Sequence, residues 1–153
     1  MASRSTSKIW EYLGNLEKDK LSHALRSLAD TEQELANLEA SVVKMQEMKN
    51  EYLTKLNQAD SGQDIAIVEL TTSINFIGRI EEALRHSAAR RLELNKHLRQ
   101  AKQHCADRQV DVKKYAILGE KELKASALKD RQDEQKQADQ HATMSWLQRE
   151  SHS

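Results

Sequence analysis

The sequence has no proline, only four glycines and one cysteine, and aromatic residues make up only 4% of it. Without proline, the chain lacks the residue that most strongly kinks or breaks a helix. With so few aromatic residues the chain cannot fill a thick globular core, so its apolar side chains are expected to lie in stripes. Charged residues are 31% of the chain, which is typical of long helices and coiled coils. The sequence therefore predicts an all-α, coiled-coil protein.

The chain also lacks an excess of charge of either sign, because 24 Lys and Arg residues balance 24 Asp and Glu residues. Proteins that bind nucleic acid or membrane surfaces through charge need a basic excess, so neither partner is expected. No apolar run is long enough to span a bilayer, and none follows the first residues as in a secretory signal. We expect a cytoplasmic protein that does not insert into the membrane.

Signals for catalysis or for a bound cofactor are missing as well. The four glycines are isolated from one another, so there is no phosphate-binding loop. The six histidines include no pair with the four-residue spacing of a helical metal site. Cys105 cannot form an intramolecular disulfide, and we interpret it as a small apolar residue of a helix interface. We predict no enzyme activity, no cofactor and no metal site.

What the sequence has instead is apolar residues at alternating spacings of three and four, the pattern of a coiled coil. Nine of the eleven positions in a first series are apolar or aromatic: Leu21, Ala24, Leu28, Thr31, Leu35, Leu38, Val42, Met45, Lys49, Tyr52 and Leu56. Ten of the fourteen positions in a second series are: Leu70, Ser73, Ile77, Ile80, Leu84, Ser87, Arg91, Leu94, Leu98, Ala101, Cys105, Arg108, Val112 and Tyr115. Upstream, Ile9, Trp10, Leu13 and Leu16 are predicted to extend the first helix but to leave its frame near Gly14.

One turn-like segment, residues 57–64, separates the two series. It contains Gly62, and the spacing from Ser61 to Asp64 resembles a helix N-terminal capping box. Two long amphipathic helices joined by a short connection fold back on each other in antiparallel orientation.

We therefore predict a single domain over residues 1–153, folded as a long two-helix antiparallel coiled-coil hairpin. Helix one is expected from about 7 to 58, the turn at about 59–64, and helix two from about 65 to 148. Because helix two is the longer, the part after Leu128 is expected to form a C-terminal helical extension with no partner in the molecule.

A widened apolar surface beside the helix interface is the candidate binding site. In a coiled coil the g positions flank the interface and are usually charged or polar, but Met48, Phe76 and Ala83 are apolar exceptions. If facing residues have numbers that add up to about 128, the three exceptions gather beside interface residues. Those neighbours are Met45, Tyr52 and Ile80. Two interpretations remain open: this surface only widens the interface under neighbouring Lys and Arg stems, or it is a docking patch for a protein.

The same residues resemble the FliJ family of flagellar type III export proteins. Residues 49–52, Lys-Asn-Glu-Tyr, and the apolar residues between Phe76 and Ala83 are similar to the central pattern of that family. The late stretch 133–139, Asp-Glu-Gln-Lys-Gln-Ala-Asp, is similar too. Chain length, the two-helix plan and the lack of proline fit the family over essentially the whole chain.

The chain departs from the family pattern at a few positions. Ser41 and Ser87 stand where the family often has a larger polar residue, and Met48 replaces an aromatic residue. An Asp139-Gln140 pair replaces two acidic residues.

The resemblance implies a non-enzymatic stalk protein similar to the two-helix shaft of rotary ATPases. It implies insertion into the central hole of the hexameric export ATPase, promotion of ring assembly, binding to the cytoplasmic domain of the transmembrane export gate, and handling of export chaperones. It also implies a cytoplasmic protein held peripherally at the inner membrane through the export apparatus.

The resemblance also implies two sets of contact residues. The gate-binding set consists of Ser41, Met45, Met48, Tyr52, Phe76, Ile80, Ala83 and Ser87. The ATPase-binding set consists of Ile9, Trp10, Asp133 and Asp139, at the chain ends, where side chains are expected to lack partners within the molecule. Two alternatives stay open from the sequence: the equivalent stalk of a virulence type III secretion system, and an unrelated cytoplasmic coiled-coil scaffold.

Overall fold

The computed structural model describes residues 2–60 and 66–152. Helix α1 spans Ala2–Asp60 and helix α2 spans Ile67–Ser151. The two helices pack against each other as an antiparallel hairpin, which confirms the predicted fold class. The predicted turn residues Ser61, Gly62 and Asp64 lie outside the described residues. Within the described ranges, neither helix has a segment apolar enough to cross a membrane.

The contacts between the helices divide the chain into two units. The central unit comprises His23–Cys105, and the terminal unit comprises Met1–Ser22 together with Ala106–Ser153. In each unit a segment of α1 packs against a segment of α2, and each unit is described by itself below.

In the central unit the helix interface follows the predicted three-four series. Every member of the first series from Ala24 to Leu56 is buried or half-buried, and all described residues between those members are exposed. The members of the second series from Leu70 to Cys105 are likewise buried or half-buried, except for Arg91, which is exposed. Between these members Phe76, Glu81 and Ala83 are half-buried as well, and the other residues are exposed. Arg91 instead pairs with Glu39 at 3.4 Å. The heptad spacing therefore identifies the residues that each helix turns toward the other.

Ion pairs border this interface. Three join the two helices: Arg90–Glu34 at 2.5 Å, Arg91–Glu39 at 3.4 Å and Lys49–Glu81 at 3.3 Å. Arg90 also bonds to Glu93 one turn along α2, and this hydrogen bond with its positive charge lowers the pKa of the Glu93 carboxyl. Because these side chains are largely exposed, water screens their attraction. Their main effect is to favour one alignment of the helices.

In the terminal unit the frame of α1 does not break near Gly14, so that prediction is wrong. Trp10, Gly14 and Glu17 continue the three-four series upstream of Leu21, and all three are buried or half-buried. Ile9 and Leu16, which a hydrophobic pattern selects, are 52% and 39% exposed. The pattern of apolar residues does not reveal this frame, because a glycine and a carboxylate occupy two of its interface positions.

Glu17 is the one buried charged residue among the described residues, with 9% of its surface exposed. Its carboxylate lies 3.4 Å from the Arg108 guanidinium on α2 and 3.3 Å from the Lys20 ammonium on its own helix. Arg108 is itself a member of the second series, so an ion pair replaces an apolar contact inside the interface. Polar residues at such positions specify register in coiled coils.

The C-terminal extension predicted beyond Leu128 is helical and belongs to α2. Every side chain from Lys129 to Met144 is exposed. Near its end Met144, Trp146 and Leu147 are large apolar residues that stay more than half exposed. The extension thus offers both polar and apolar surface to solvent.

Leu94 and Leu92 provide a matched test of the interface. Leu94 is 2% exposed and Leu92 is 74% exposed, although the two lie two residues apart on α2. Leu94→Ala should lower the free energy of unfolding by about 2–5 kcal/mol, because it removes buried apolar atoms. Leu92→Ala should change it by less than about 0.5 kcal/mol. Urea unfolding followed by circular dichroism measures both, and equal losses would contradict the assigned interface.

The ion pair between Glu17 and Arg108 predicts non-additive effects. Glu17→Leu or Arg108→Leu alone should lower the free energy of unfolding by about 1–3 kcal/mol, because the remaining charge loses its partner on the other helix. The double variant should be at least as stable as the wild type, since apolar side chains of similar size can replace an ion pair. A double-mutant cycle in urea provides the measurement. Simple addition of the two single losses would show that the pair does not act as a unit.

Candidate functional site

The predicted gate-binding set lies in the central unit, on the g side of its helix interface. We call it the apolar shoulder; its members are Ser41, Met45, Met48, Tyr52, Phe76, Ile80, Ala83 and Ser87. At its centre the ring centroids of Tyr52 and Phe76 lie 4.7 Å apart with the planes tilted by 46°. This spacing is that of an attractive aromatic pair. The pair joins an interface residue of α1 to a flanking residue of α2, so it carries apolar surface from the interface toward the exterior.

The members of the shoulder differ in exposure. Ile80 is only 5% exposed and therefore supports the shoulder from within the interface. Met48, in contrast, is 40% exposed, and Ser41 is exposed as well. The remaining members, Met45, Tyr52, Phe76, Ala83 and Ser87, are half-buried. A docking protein would meet Met48 and the uncovered parts of the two aromatic rings, whereas Ile80 would act through packing.

Polar and charged groups border the aromatic pair. The Lys55 ammonium lies 5.2 Å from the centroid of the Tyr52 ring, within cation–π distance. Beside Phe76 is a shallow groove of about 210 Å³, lined also by Thr72, Asn75 and Arg79. An apolar centre with a polar rim is the usual composition of a protein interface.

Apolar side chains also lie on the opposite, e-position flank of the central unit, where the sequence analysis placed no site. Leu53 is 38% exposed, Ile74 is 54% exposed and Ile67 is 81% exposed. All three occupy e positions of the predicted frame, so the same heptad assignment contained the signal.

The predicted ATPase-binding set lies in the terminal unit. Ile9 is exposed, as expected. Trp10 was expected to lack partners within the molecule, and this expectation is wrong. The Trp10 ring centroid lies 5.9 Å from that of Tyr115, and its Nε1 donates a hydrogen bond to the Glu122 carboxylate. This correction follows from the continued frame of α1, which turns Trp10 into the interface.

The two acidic members of that set, Asp133 and Asp139, lie in the exposed extension of α2. They are six residues apart, which separates them by about 120° around the helix axis. The structure therefore does not place them on one face of the helix.

A groove of about 340 Å³ opens beside Trp10 in the terminal unit. It was not predicted from the sequence. Its floor and walls include Trp10, Gly14, Val112, Tyr115, Gly119 and Leu123. A Cβ added to Gly14 would lie 3.8 Å from the Tyr115 Cβ, and one added to Gly119 would lie 3.6 Å from the Trp10 Cβ. Both are ordinary van der Waals distances, whereas glycine inside a helix costs about 1 kcal/mol relative to alanine.

Across residues 2–60 and 66–152, no three His, Cys, Asp or Glu side chains come together as a metal site would require. Cys105 is buried in the interface. The two sites offer aromatic and aliphatic surface with charged borders, which is suited to binding other proteins.

Comparison with known proteins identifies the family. The family model described as flagellar FliJ protein matches residues 11–151, which include most of α1, all of α2 and the whole apolar shoulder. Asp133 and Asp139 lie within the match, whereas Ile9 and Trp10 precede it. No curated protein and no solved structure matches the chain. Since the match extends over most of its length, the chain belongs to the flagellar FliJ protein family, whose members are coiled-coil proteins of flagellar export.

Proposed function

We propose that this chain is the non-enzymatic stalk of the flagellar export ATPase. In this proposal the terminal unit enters the central hole of the hexameric ATPase and promotes assembly of the ring. The apolar shoulder binds the cytoplasmic domain of the transmembrane export gate. The protein is cytoplasmic and is held peripherally at the inner membrane through these contacts, and export chaperones are further partners.

The observation that carries the proposal is the Tyr52–Phe76 pair in a chain of this family. The rings lie 4.7 Å apart, yet both are only half-buried, and Met48 beside them is 40% exposed. A coiled coil stabilised only for itself would place charged or polar residues at the flanking positions of Met48 and Phe76. Aromatic residues that are partly exposed and held rigid are frequent hot spots of protein interfaces.

The exposed extension of α2 supports the contact with the ATPase. From Lys129 to Met144 every side chain is exposed, and Trp146 is 57% exposed close to the helix end. An isolated polar helix is only marginally stable in water. A partner that covers this helix would therefore stabilise it as well as gain affinity from its apolar end.

Truncation after Leu128 tests the contact with the ATPase. The truncated chain should keep the thermal melting temperature of the full chain within a few degrees, because the removed side chains are almost all exposed. Its affinity for the ATPase and its stimulation of ATP hydrolysis should fall at least about tenfold. The full-length variant Asp133→Asn/Asp139→Asn shows whether the two carboxylates account for the loss. Unchanged stimulation by the truncated chain would contradict the proposed orientation.

Phe76→Ala tests the contact with the gate. Because the ring is only half-buried, the substitution should lower the free energy of unfolding by about 1–2 kcal/mol, less than a core truncation. As an interface anchor the ring should contribute about 2 kcal/mol or more, which is a loss of about 30-fold in affinity for the cytoplasmic gate domain. Calorimetric titration with that domain, beside thermal melting, measures both effects.

Two control variants accompany Phe76→Ala. Leu53→Ala removes a partly exposed side chain from the opposite flank and should leave gate affinity unchanged. Leu94→Ala should lower stability more than Phe76→Ala does, since Leu94 is fully enclosed by the interface. The proposed contact is wrong if Phe76→Ala lowers the melting temperature as much as Leu94→Ala does. It is also wrong if Phe76→Ala binds the gate domain with normal affinity, because the shoulder then contributes only to helix packing.

A further inference from the structure

The groove beside Trp10 is the feature of the terminal unit that helix packing does not explain. Gly14 and Gly119 both occupy interface positions of the three-four series, where coiled coils usually place bulky apolar side chains. The distances from an added Cβ to the nearest side chain would be 3.8 Å at Gly14 and 3.6 Å at Gly119. The helices therefore have room for alanine at both positions.

Glycine also weakens a helix, because it gains more backbone freedom than alanine in the unfolded chain. Two glycines that face one groove thus lower stability without a steric need. Their effect is to keep the groove open, with a volume of about 340 Å³. For comparison, an apolar cavity of about 150 Å³ is enough to bind benzene.

We propose that this groove receives a bulky apolar side chain, such as Leu, Met or Phe, from the wall of the central hole of the ATPase. The inference rests on the proposed function, and it assigns the groove as one contact site of that interaction. The lining determines the chemistry of the occupant. Trp10, Val112, Tyr115 and Leu123 offer aromatic and aliphatic surface, and the charged residues Glu11, Lys18 and Glu120 also line the groove.

The size of the groove favours a single inserted side chain over a second copy of the chain. Stable dimers bury roughly 800 Å² on each partner. The groove extends over only about two and a half turns of α1, from Trp10 to Lys18, and about three turns of α2, from Val112 to Leu123. It therefore suits one anchor residue within a longer contact, as between a rod and the hole that surrounds it.

The double variant Gly14→Ala/Gly119→Ala separates binding from folding, because the two effects have opposite signs. The melting temperature should rise by about 1–4 °C for each glycine replaced. Affinity for the purified hexameric ATPase should fall at least about tenfold, since two methyl groups enter the space that the side chain needs. Gly78→Ala is the matched control: its Cβ would have no neighbour within 4 Å, so it should raise the melting temperature without changing affinity.

A second pair of variants fills the groove without replacing glycine. Ala116 lines the groove and is exposed, and Ala125 is an exposed alanine of the same unit that does not line it. Ala116→Leu should therefore weaken ATPase binding, and Ala125→Leu should leave it unchanged. The melting temperature of both variants should be close to that of the wild type, because substitutions at exposed helix positions have small effects on stability.

The outcomes distinguish the groove from the proposed function. If the wild-type chain does not bind the ATPase, the proposed function and the groove proposal both fail. If the wild type binds and the double glycine variant and Ala116→Leu bind equally well, only the groove proposal is wrong. A lower melting temperature of the double variant would show that the glycines serve packing, which also overturns the proposal. So would wild-type self-association in sedimentation that the double variant abolishes, because the occupant would then be a second copy.

Discussion

The whole structure depends on one narrow apolar interface between two helices. Only five apolar residues are buried among the described ones, namely Ala24, Ile77, Ile80, Leu94 and Cys105. A third layer that could cover the flanks of the interface, as in larger domains, is not formed by the described residues. Each apolar residue next to the interface therefore remains partly exposed. In such a fold a binding surface needs no separate pocket. An apolar residue in place of a polar one at a flanking position is enough to create an exposed apolar surface.

Polar residues keep this weak interface specific. Two helices with the same three-four pattern can slide by a heptad and still bury similar apolar surface. The pairs Glu17–Arg108, Lys49–Glu81 and Arg90–Glu34 would all be broken by such a slide. Because Glu17 is buried, its pair with Arg108 imposes the strongest penalty on a wrong register. The register also brings Tyr52 opposite Phe76, the pair on which the proposed contact with the export gate depends.

The sequence was sufficient to predict the central unit because the heptad is a geometric rule. Members of the series such as Leu28, Leu94 and even Thr31 turn to the interface whatever their polarity, so spacing alone placed them. The same rule failed near Gly14, since frame assignment by hydrophobicity overlooks a glycine and a buried carboxylate. It also suggested that Trp10 lacks partners, because the contact with Tyr115 joins residues about a hundred positions apart.

The two candidate sites were unequally predictable for a related reason. The shoulder consists of apolar residues at positions where polar ones are expected, and an exception of this kind is visible in a sequence. The groove arises from the reverse exception, missing side chains at positions where apolar ones are expected. One isolated glycine on a helix signals little. Its meaning appears only when the second helix brings Gly119 and Tyr115 beside Gly14.

Both exceptions reduce the stability that this pair of helices could reach. Phe76 leaves aromatic surface in water, and Gly14 and Gly119 leave space in the interface and weaken their helices. Natural proteins commonly retain such unfavourable residues where function requires them. In a fold with so little buried surface these losses are a large fraction of the total. The apolar shoulder and the groove are therefore the best candidates for function, because at these two places the helices are packed less well than their geometry allows.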